Sequence, residues 1–289
     1  MYDLFVLSRP AQWTKNLFIF LPLFFALQIY HPAILIKAGL AFAVFCMLAS
    51  SIYIFNDYHD IDEDRLHPRK KMRPLAAGRT SVAKALCMSA ALLTFGLTGA
   101  WLLGFSTFYL ALTYIALNVA YTIKLKHIPI IDIFIIASGF VIRIFVGGAV
   151  TGIKIYPWIV VMTFLLALFL ALGKRRDDVL IFINNGEVSR KSIDGYNLAF
   201  IDSGMMAMAS ITIVSYIMYT LSAESIAKFK TDHLYLTAIF VIFGIMRYLQ
   251  IVMVEQRSGA PSEILLKDKF IQLSIFGWIL MFVLLIYLH

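Results

Sequence analysis

Asn56-Asp57-Tyr58-His59-Asp60-Ile61-Asp62-Glu63-Asp64 is a knot of acids, followed by a base-rich segment from Arg65 to Arg79. Both stand at the end of residues 34–55, an apolar run whose single charge is Lys37. A helical run of that length crosses a hydrocarbon core of ~30 Å at ~1.5 Å per residue. The rest of the chain repeats the pattern. Its 289 residues are 61% hydrophobic and 15% charged, with a mean hydropathy of +0.84. Soluble domains are about 45–50% apolar and about 25% charged. The chain therefore reads as a polytopic α-helical membrane protein, one bundle in a single domain over residues 1–289.

Nine spans are expected, at roughly 16–30, 34–55, 82–103, 106–123, 130–150, 156–173, 205–222, 233–254 and 270–288. The N-terminal residues lack a basic region before a short apolar stretch and a small-residue cleavage site, so the first span is expected to be retained. Tyr30-His31-Pro32 and Leu103-Gly104-Phe105-Ser106 leave little chain outside the bilayer on one side. The other side carries the polar connections 56–81, 124–129, 174–204 and 255–269, which would form a cap of loops. Of the 25 basic residues, 20 fall on that looped side, Lys37, Lys154, Lys228 and Lys230 on the other, and Arg143 inside a span. The positive-inside rule then places the N-terminus and long loops in the cytoplasm, with His289 outside a cell (inner) membrane. The net charge of +8 is explained by this topology and calls for no nucleic acid. Cys46 and Cys87 lie in apolar runs without metal-ligand spacing and read as packing residues.

Asn56, Asp60 and Asp64 are spaced i, i+4, i+8, while Asp57, Asp60 and Asp64 are spaced i, i+3, i+7. On a helix continuing past the membrane these side chains share one face. Clustered carboxylates need a cation, and oxygen donors of this kind suit Mg²⁺ with phosphate oxygens completing its octahedron. Arg69, Lys70, Lys71, Arg73 and Arg79 follow at once. Such bases also serve as inside-positive charge or anionic-lipid contacts. Beside a metal-bound diphosphate, which keeps excess negative charge, they would grip phosphate oxygens.

The pattern Asn56-Asp57-x-x-Asp60-x-x-x-Asp64 after a membrane span, continued by Arg73-Pro-Leu-Ala-Ala-Gly78, resembles the first aspartate-rich motif of the UbiA superfamily of intramembrane prenyltransferases. That family is a nine-helix bundle, in agreement with the span count. Arg9-Pro-Ala-Gln-Trp-Thr-Lys15-Asn16 is similar to the opening of its decaprenyl-phosphate phosphoribosyltransferase branch. So are Tyr121-Thr-Ile-Lys-Leu-Lys126-His127 with Asp132, Ser138-Gly-Phe-Val-Ile-Arg143, Gly173-Lys174-Arg175-Arg176 and Pro261-Ser-Glu-Ile-Leu-Leu-Lys-Asp268. The resemblance covers essentially the whole chain. It implies transfer of a 5-phosphoribosyl group from phosphoribosyl diphosphate to a polyprenyl phosphate in the membrane, with a product that feeds cell-wall polysaccharide. Most aromatic prenyltransferases of the superfamily carry a second Asp-x-x-x-Asp motif after span six. Here that place reads Lys174-Arg175-Arg176-Asp177-Asp178, without that spacing. A donor with two phosphate ends plus an acceptor phosphate needs more cations than a prenyl diphosphate, although these bases also suit an inside-positive flank.

Asp132 and Arg143 are eleven residues apart, close to three turns, and share a face of span five. A charge at that depth costs roughly 2.5–3.5 kcal/mol on insertion scales, so it usually faces a cavity or a polar contact within the bundle. A cavity role is expected for Arg143, and Tyr121 and Lys126 flank the same mouth. His59, His67 and His127 have no metal-ligand spacing, and Gly147-Gly148 suits close helix approach.

Asp57, Asp60 and Asp64 are thus the expected catalytic acids, holding Mg²⁺ together with Asn56. Lys15, Lys70, Arg73, Tyr121, Lys126, Arg143, Lys174 and Arg175 would bind the phosphates and the ribose. The acceptor phosphate is already anionic, so no strong base is required. A prenyltransferase acting on a lipophilic acceptor and a non-enzymatic transporter are the competing readings. Oligomeric state is open, a homo-oligomer included.

Overall fold

The computed structural model describes residues 2–66, 70–185, 195–256 and 261–287; His67, Arg69, Arg190, Lys191, Arg257 and His289 lie outside them. The elements in chain order are α1 (Tyr2–Leu7), a 3₁₀ segment Pro10–Phe20, α2 (Leu21–Phe25), α3 (Pro32–His59), α4 (Ile61–Leu66), α5 (Val82–Leu102), α6 (Phe105–Ile123) and α7 (Ile131–Thr151). They continue with α8 (Pro157–Asn185), α9 (Leu198–Thr220), α10 (Ala223–Phe229), α11 (Ala238–Met253), α12 (Pro261–Lys267) and α13 (Lys269–Tyr287). Among the described residues, eight helices are long and apolar enough to cross a membrane: α3, α5, α6, α7, α8, α9, α11 with the turn before it, and α13. The chain forms two compact units, one up to Tyr156 and one from Pro157 onward.

In the first unit α3 is the central helix, with Ala41, Phe45, Leu48 and Ile54 fully buried. Its 28 residues reach about 42 Å, longer than a hydrocarbon core of ~30 Å, so its last turns carry their acids beyond the apolar layer. Small residues let α5 lie close against it. A Cβ at Gly96 would come within 2.5 Å of Leu48, and one at Gly99 within 2.6 Å of Val44. Ser51 Oγ donates to the Ser89 carbonyl at 2.9 Å, and Ser89 Oγ returns a bond to the Ser51 carbonyl at 3.0 Å. Each hydroxyl satisfies itself across the interface.

Residues 16–30, expected as one continuous span, do not form one continuous α-helix; only Leu21–Phe25 is α-helical. Pro10 and Pro22 restrict the backbone at either end, and Pro10–Phe20 winds as 3₁₀. Tertiary contacts supply the physical reason. Trp13, Asn16 and Ile19 are three residues apart and stack on one face at 3.0 residues per turn. Trp13 Nε1 donates to Ser50 Oγ at 3.0 Å, Asn16 Nδ2 points to Cys46 Sγ at 3.2 Å, and Ile19 is fully buried. Farther along, the Phe20 and Phe42 rings lie 5.9 Å apart. As the segment advances, its partners step back along α3 from Ser50 to Phe42, so the two run antiparallel. Gly147 of α7 admits the segment from the other side: a Cβ there would be 2.2 Å from the Ile19 carbonyl oxygen.

In the second unit α8 runs twelve residues past its expected end at 173. The charged stretch is satisfied within helical geometry and contains no glycine or proline. Arg175 pairs with Asp178 one turn on, and Arg176 reaches Asp202 of α9 and the Val252 carbonyl of α11, each at 2.7 Å. Helix α9 likewise starts at 198 instead of 205, where the Asn197 side chain accepts from the Phe200 amide at 2.7 Å. The apolar layer is tied by Tyr216 Oη, which receives a hydrogen bond from Trp278 Nε1 at 2.6 Å and lies 2.7 Å from Thr237 Oγ1.

Candidate active site

The acid knot divides between two elements. Helix α3 ends at His59, Asp60 departs from helical geometry, and α4 restarts at Ile61. The backbone bonds from Asp60 to Asn56 and from Asp64 to Asp60 keep i→i−4 pairing through the break, at 3.0 and 2.8 Å. Asp57, Asp60 and Asp64 consequently turn inward, and each is buried, while Asp62 and Glu63 stay exposed.

Every one of the three buried carboxylates meets a base. Asp57 accepts from Arg9 and, at 3.0 Å, from Arg73 Nη1. The same Arg73 nitrogen donates to Asp64 Oδ2 at 2.5 Å. Burial pushes the Asp64 carboxyl above its ordinary range, opposed by Arg73 and Lys70. Burial and the neighbouring Arg9 push Arg73 down, opposed by Asp57 and Asp64. Arg9 also lies 5.1 Å over the Tyr53 ring. Asp60 has a separate partner, Lys126, which is only 1% exposed. Asn56 donates to Asp60 Oδ2 at 3.0 Å and accepts from Thr122 Oγ1 at 3.3 Å, so it orients that carboxylate.

The expected acids thus fall into two pairs, Asp57 with Asp64 and Asp60 with Asn56, and the described residues contain no cluster of three or more ready metal ligands. The donor chemistry still fits a hard divalent cation. Two carboxylate oxygens already converge within 3.0 Å of one positive nitrogen of Arg73, as they would on a metal. Lys126 stands in the turn Leu125–His127, and a γ-turn at Ile130 leads from there into α7. There the Ile131 amide bonds the Pro129 carbonyl at 2.8 Å, with Ile130 at φ 71°. A β-branched residue in that region is strained, by about 1–3 kcal/mol, so the turn holds only because its surroundings enforce it.

Deeper in the first unit sits Arg143, 4% exposed. Its Nε donates to Asn16 Oδ1 at 2.7 Å, Nη1 to the Gly139 carbonyl at 2.6 Å, and Nη2 to Tyr114 Oη at 3.2 Å. The Tyr114 and Phe140 rings flank it at 4.9 and 5.8 Å. Lys15, beside Asn16 in the chain, is half-buried. The charged groups around it are Arg143 and Arg9, with the Tyr114 and Tyr121 phenols.

Lys70 is within electrostatic reach of Asp64, and Tyr121 of Lys15. Asp132 is fully buried and accepts from the Ile133 amide at 2.8 Å, and it shares no contact with Arg143. Lys174 and Arg175 belong to α8 of the second unit, where Arg175 is bound to Asp178. Site residues to which the sequence reading gave no role are Arg9, Asn16, Tyr114 and Thr122. Arg9 and Asn16 stood at the two ends of the quoted motif before the first span, and Asn16 is also a polar residue opening an apolar run.

Comparison with known proteins bears on the same residues. The UbiA prenyltransferase family matches residues 16–181. The chain is 32% identical to a decaprenyl-phosphate phosphoribosyltransferase of Corynebacterium glutamicum, over 97% of this chain and 85% of that protein. A protein of the same description from Mycolicibacterium smegmatis is 31% identical, over 94% of this chain and 88% of that one. In fold the chain is similar to a UbiA homolog from Archaeoglobus fulgidus solved with GPP and Mg²⁺, with a TM-score of 0.75 at 21% identity over 98% of this chain and 99% of that one. An all-helical fold, an aspartate-rich exit from a central helix and similarity along nearly the whole chain have one common explanation: this protein is a member of the UbiA prenyltransferase family.

Proposed function

We infer that the chain transfers a 5-phosphoribosyl group from phosphoribosyl diphosphate to a polyprenyl phosphate, releasing diphosphate. The observation that carries this is the excess of cations over acids. Arg9, Arg73 and Lys126 already neutralise Asp57, Asp60 and Asp64, and Lys15 and Arg143 remain with no acidic partner among the described residues. A prenyl diphosphate brings one anionic end to such a site; the proposed pair of substrates brings three. The relatives described as decaprenyl-phosphate phosphoribosyltransferases support the transferred group and a polyprenyl phosphate acceptor.

A divalent cation, for which Mg²⁺ in the A. fulgidus homolog is the precedent, would be held by Asp57, Asp60 and Asp64 with Asn56, and would make diphosphate a better leaving group. Arg9, Arg73, Lys70 and Lys126 would hold the diphosphate oxygens, and Tyr121 the ribose hydroxyls. The bond from ribose C1 to diphosphate breaks, and a phosphate oxygen of the lipid forms the new bond to C1. That oxygen arrives as an anion, so no proton has to be removed. Positioning and electrostatics supply the catalysis.

The chain is proposed to act as one polytopic domain with nine crossings. The 3₁₀ segment and α2 would form the ninth: at ~2.0 Å per 3₁₀ residue and ~1.5 Å per α residue, Pro10–Phe25 covers about 30 Å. Its antiparallel run beside α3 supports this, and the basic loops would face the cytoplasm. The test incubates purified protein with Mg²⁺, labelled phosphoribosyl diphosphate and a polyprenyl phosphate, then extracts the lipid. Label in the lipid phase is expected. Consumption of a prenyl diphosphate with an aromatic acceptor, and no labelled lipid, would overturn the proposal.

A further inference from the structure

We infer that Lys15 and Arg143 form a second phosphate pocket, distinct from the aspartate cluster and built to hold a phosphate monoester without a metal. The guanidinium of Arg143 has five N–H donors, and the three hydrogen bonds it makes all end on neutral oxygens of Asn16, Gly139 and Tyr114. One N–H on each terminal nitrogen is left over. The Tyr114 and Phe140 rings and the Asn16 amide fix the plane of the group without cancelling its charge. Lys15 follows from the same geometry: Asn16, the next residue in the chain, is bonded to Arg143 at 2.7 Å. Among the described residues Lys15 has no hydrogen bond and no ion pair. The charged groups facing it are Arg143 and Arg9, and the phenols are those of Tyr114 and Tyr121.

A structural arginine inside a bundle is ordinarily paired with a carboxylate or fully spent on carbonyls. Two neighbouring cations with no acid between them repel each other, and burial strengthens that repulsion. An anion relieves it. A metal does not, because two uncompensated positive charges disfavour a third. The aspartate cluster is saturated by Arg9, Arg73 and Lys126, and none of its acids touches Lys15 or Arg143. The two sites therefore differ in chemistry: mixed acids and bases at the mouth for a metal-bound diphosphate, cations alone below it for a bare phosphate. Resting on the proposed transfer, two phosphate monoesters qualify, the 5-phosphate of the donor and the phosphate of the lipid.

Binding is measured with the purified full chain in EDTA, separately for ribose 5-phosphate and for a short-chain polyprenyl phosphate. Wild type is expected to bind at least one without metal. Lys15→Gln should weaken that binding by about tenfold or more, the scale of a lost charge-assisted hydrogen bond. Lys15→Arg should retain it, and both variants should bind inorganic diphosphate with Mg²⁺ as wild type does. Which ligand responds identifies the source of the phosphate. The inference is overturned if neither ligand binds in EDTA, if Lys15→Gln binds as wild type does, or if it weakens Mg-diphosphate equally. Arg143→Lys is the second variant should Lys15→Gln fail to fold; without the guanidinium fork it must weaken monoester binding by about tenfold or more and leave Mg-diphosphate binding as in wild type. Because binding in EDTA needs no turnover, a protein that binds the monoester but labels no lipid keeps the pocket and removes the transferase assignment.

Discussion

Asp60 and Asp64 look equivalent in sequence, yet they are held differently. Arg73 touches both Asp57 and Asp64, so it keeps one acid when the other is neutralised. Lys126 is bound to Asp60 and is almost completely buried. Asp60→Asn therefore strands a buried ammonium, which typically costs about 3–5 kcal/mol, while Asp64→Asn costs less. Both variants should lose transfer activity by about a hundredfold or more at saturating Mg²⁺, since even residues behind metal ligands are worth tenfold to a hundredfold. Thermal denaturation should separate them, with the melting temperature of Asp60→Asn the lower and that of Lys126→Met with Asp60→Asn partly restored. Equal melting temperatures for the two single variants would contradict the pairing. Lys15 gives a second test at this scale. If its charge holds a phosphate, Lys15→Gln should raise the KM of the substrate whose phosphate it binds by about tenfold, the scale of a lost charge-assisted hydrogen bond, with kcat little changed. Lys15→Arg should stay within a few-fold of wild type. A KM unchanged in Lys15→Gln would remove Lys15 from the binding step.

At the scale of elements, the 3₁₀ segment sets the deep pocket, because it delivers Asn16 and Lys15 between α3 and α7. Gly147 is the condition for its close approach. Gly147→Ala places a methyl 2.2 Å from the Ile19 carbonyl, backbone that has no room to yield. The expected cost is about 1–3 kcal/mol of stability, with weaker monoester binding and unchanged Mg²⁺ dependence. Gly39→Ala on α3 meets nothing within 4 Å and should be neutral or mildly stabilising. Similar melting temperatures for the two alanine variants would show that the contact is not tight. The same elements mark what the sequence made legible. The eight long spans were readable because an apolar run of about 20 residues has few other uses. The acids at 56–64 stood out because charge at a membrane exit is costly unless employed. The 3₁₀ winding was hidden, since its cause is three tertiary contacts at positions 13, 16 and 19, and apolar periodicity does not register them. The length of α8 was hidden because charge ordinarily marks the end of a span, and here the pairs Arg175–Asp178 within the helix and Arg176–Asp202 of α9 let it continue. Arg9 with Asp57, and Arg143 with Asn16, join residues 48 and 127 positions apart, beyond any spacing rule.

For the molecule as a whole, the sided distribution of bases and the path of the first segment make one joint prediction. Asp3 accepts from Arg79 Nε at 3.1 Å, and Arg9 binds Asp57, so the N-terminal residues share an end of the first unit with the acid knot and the loop after it. Helix α3 arrives at that end from Pro32 at the other. A chain that starts beside Asp57 and enters α3 at Pro32 must travel the length of α3 in between, and Pro10–Phe25 is the stretch that does so. If that stretch crosses the bilayer, residues 3 and 71 lie on the same face and residue 230 on the opposite one. Cysteines introduced as Asp3→Cys, Lys71→Cys or Lys230→Cys, in a Cys87→Ser background that leaves the buried Cys46 in place, report this directly. An impermeant maleimide should label the first two only in inverted vesicles and the third only in intact cells, as 20 bases on one side require. Labelling of Asp3→Cys from outside while Lys71→Cys stays protected would show that the segment turns back within the membrane, and the count of crossings would fall to eight.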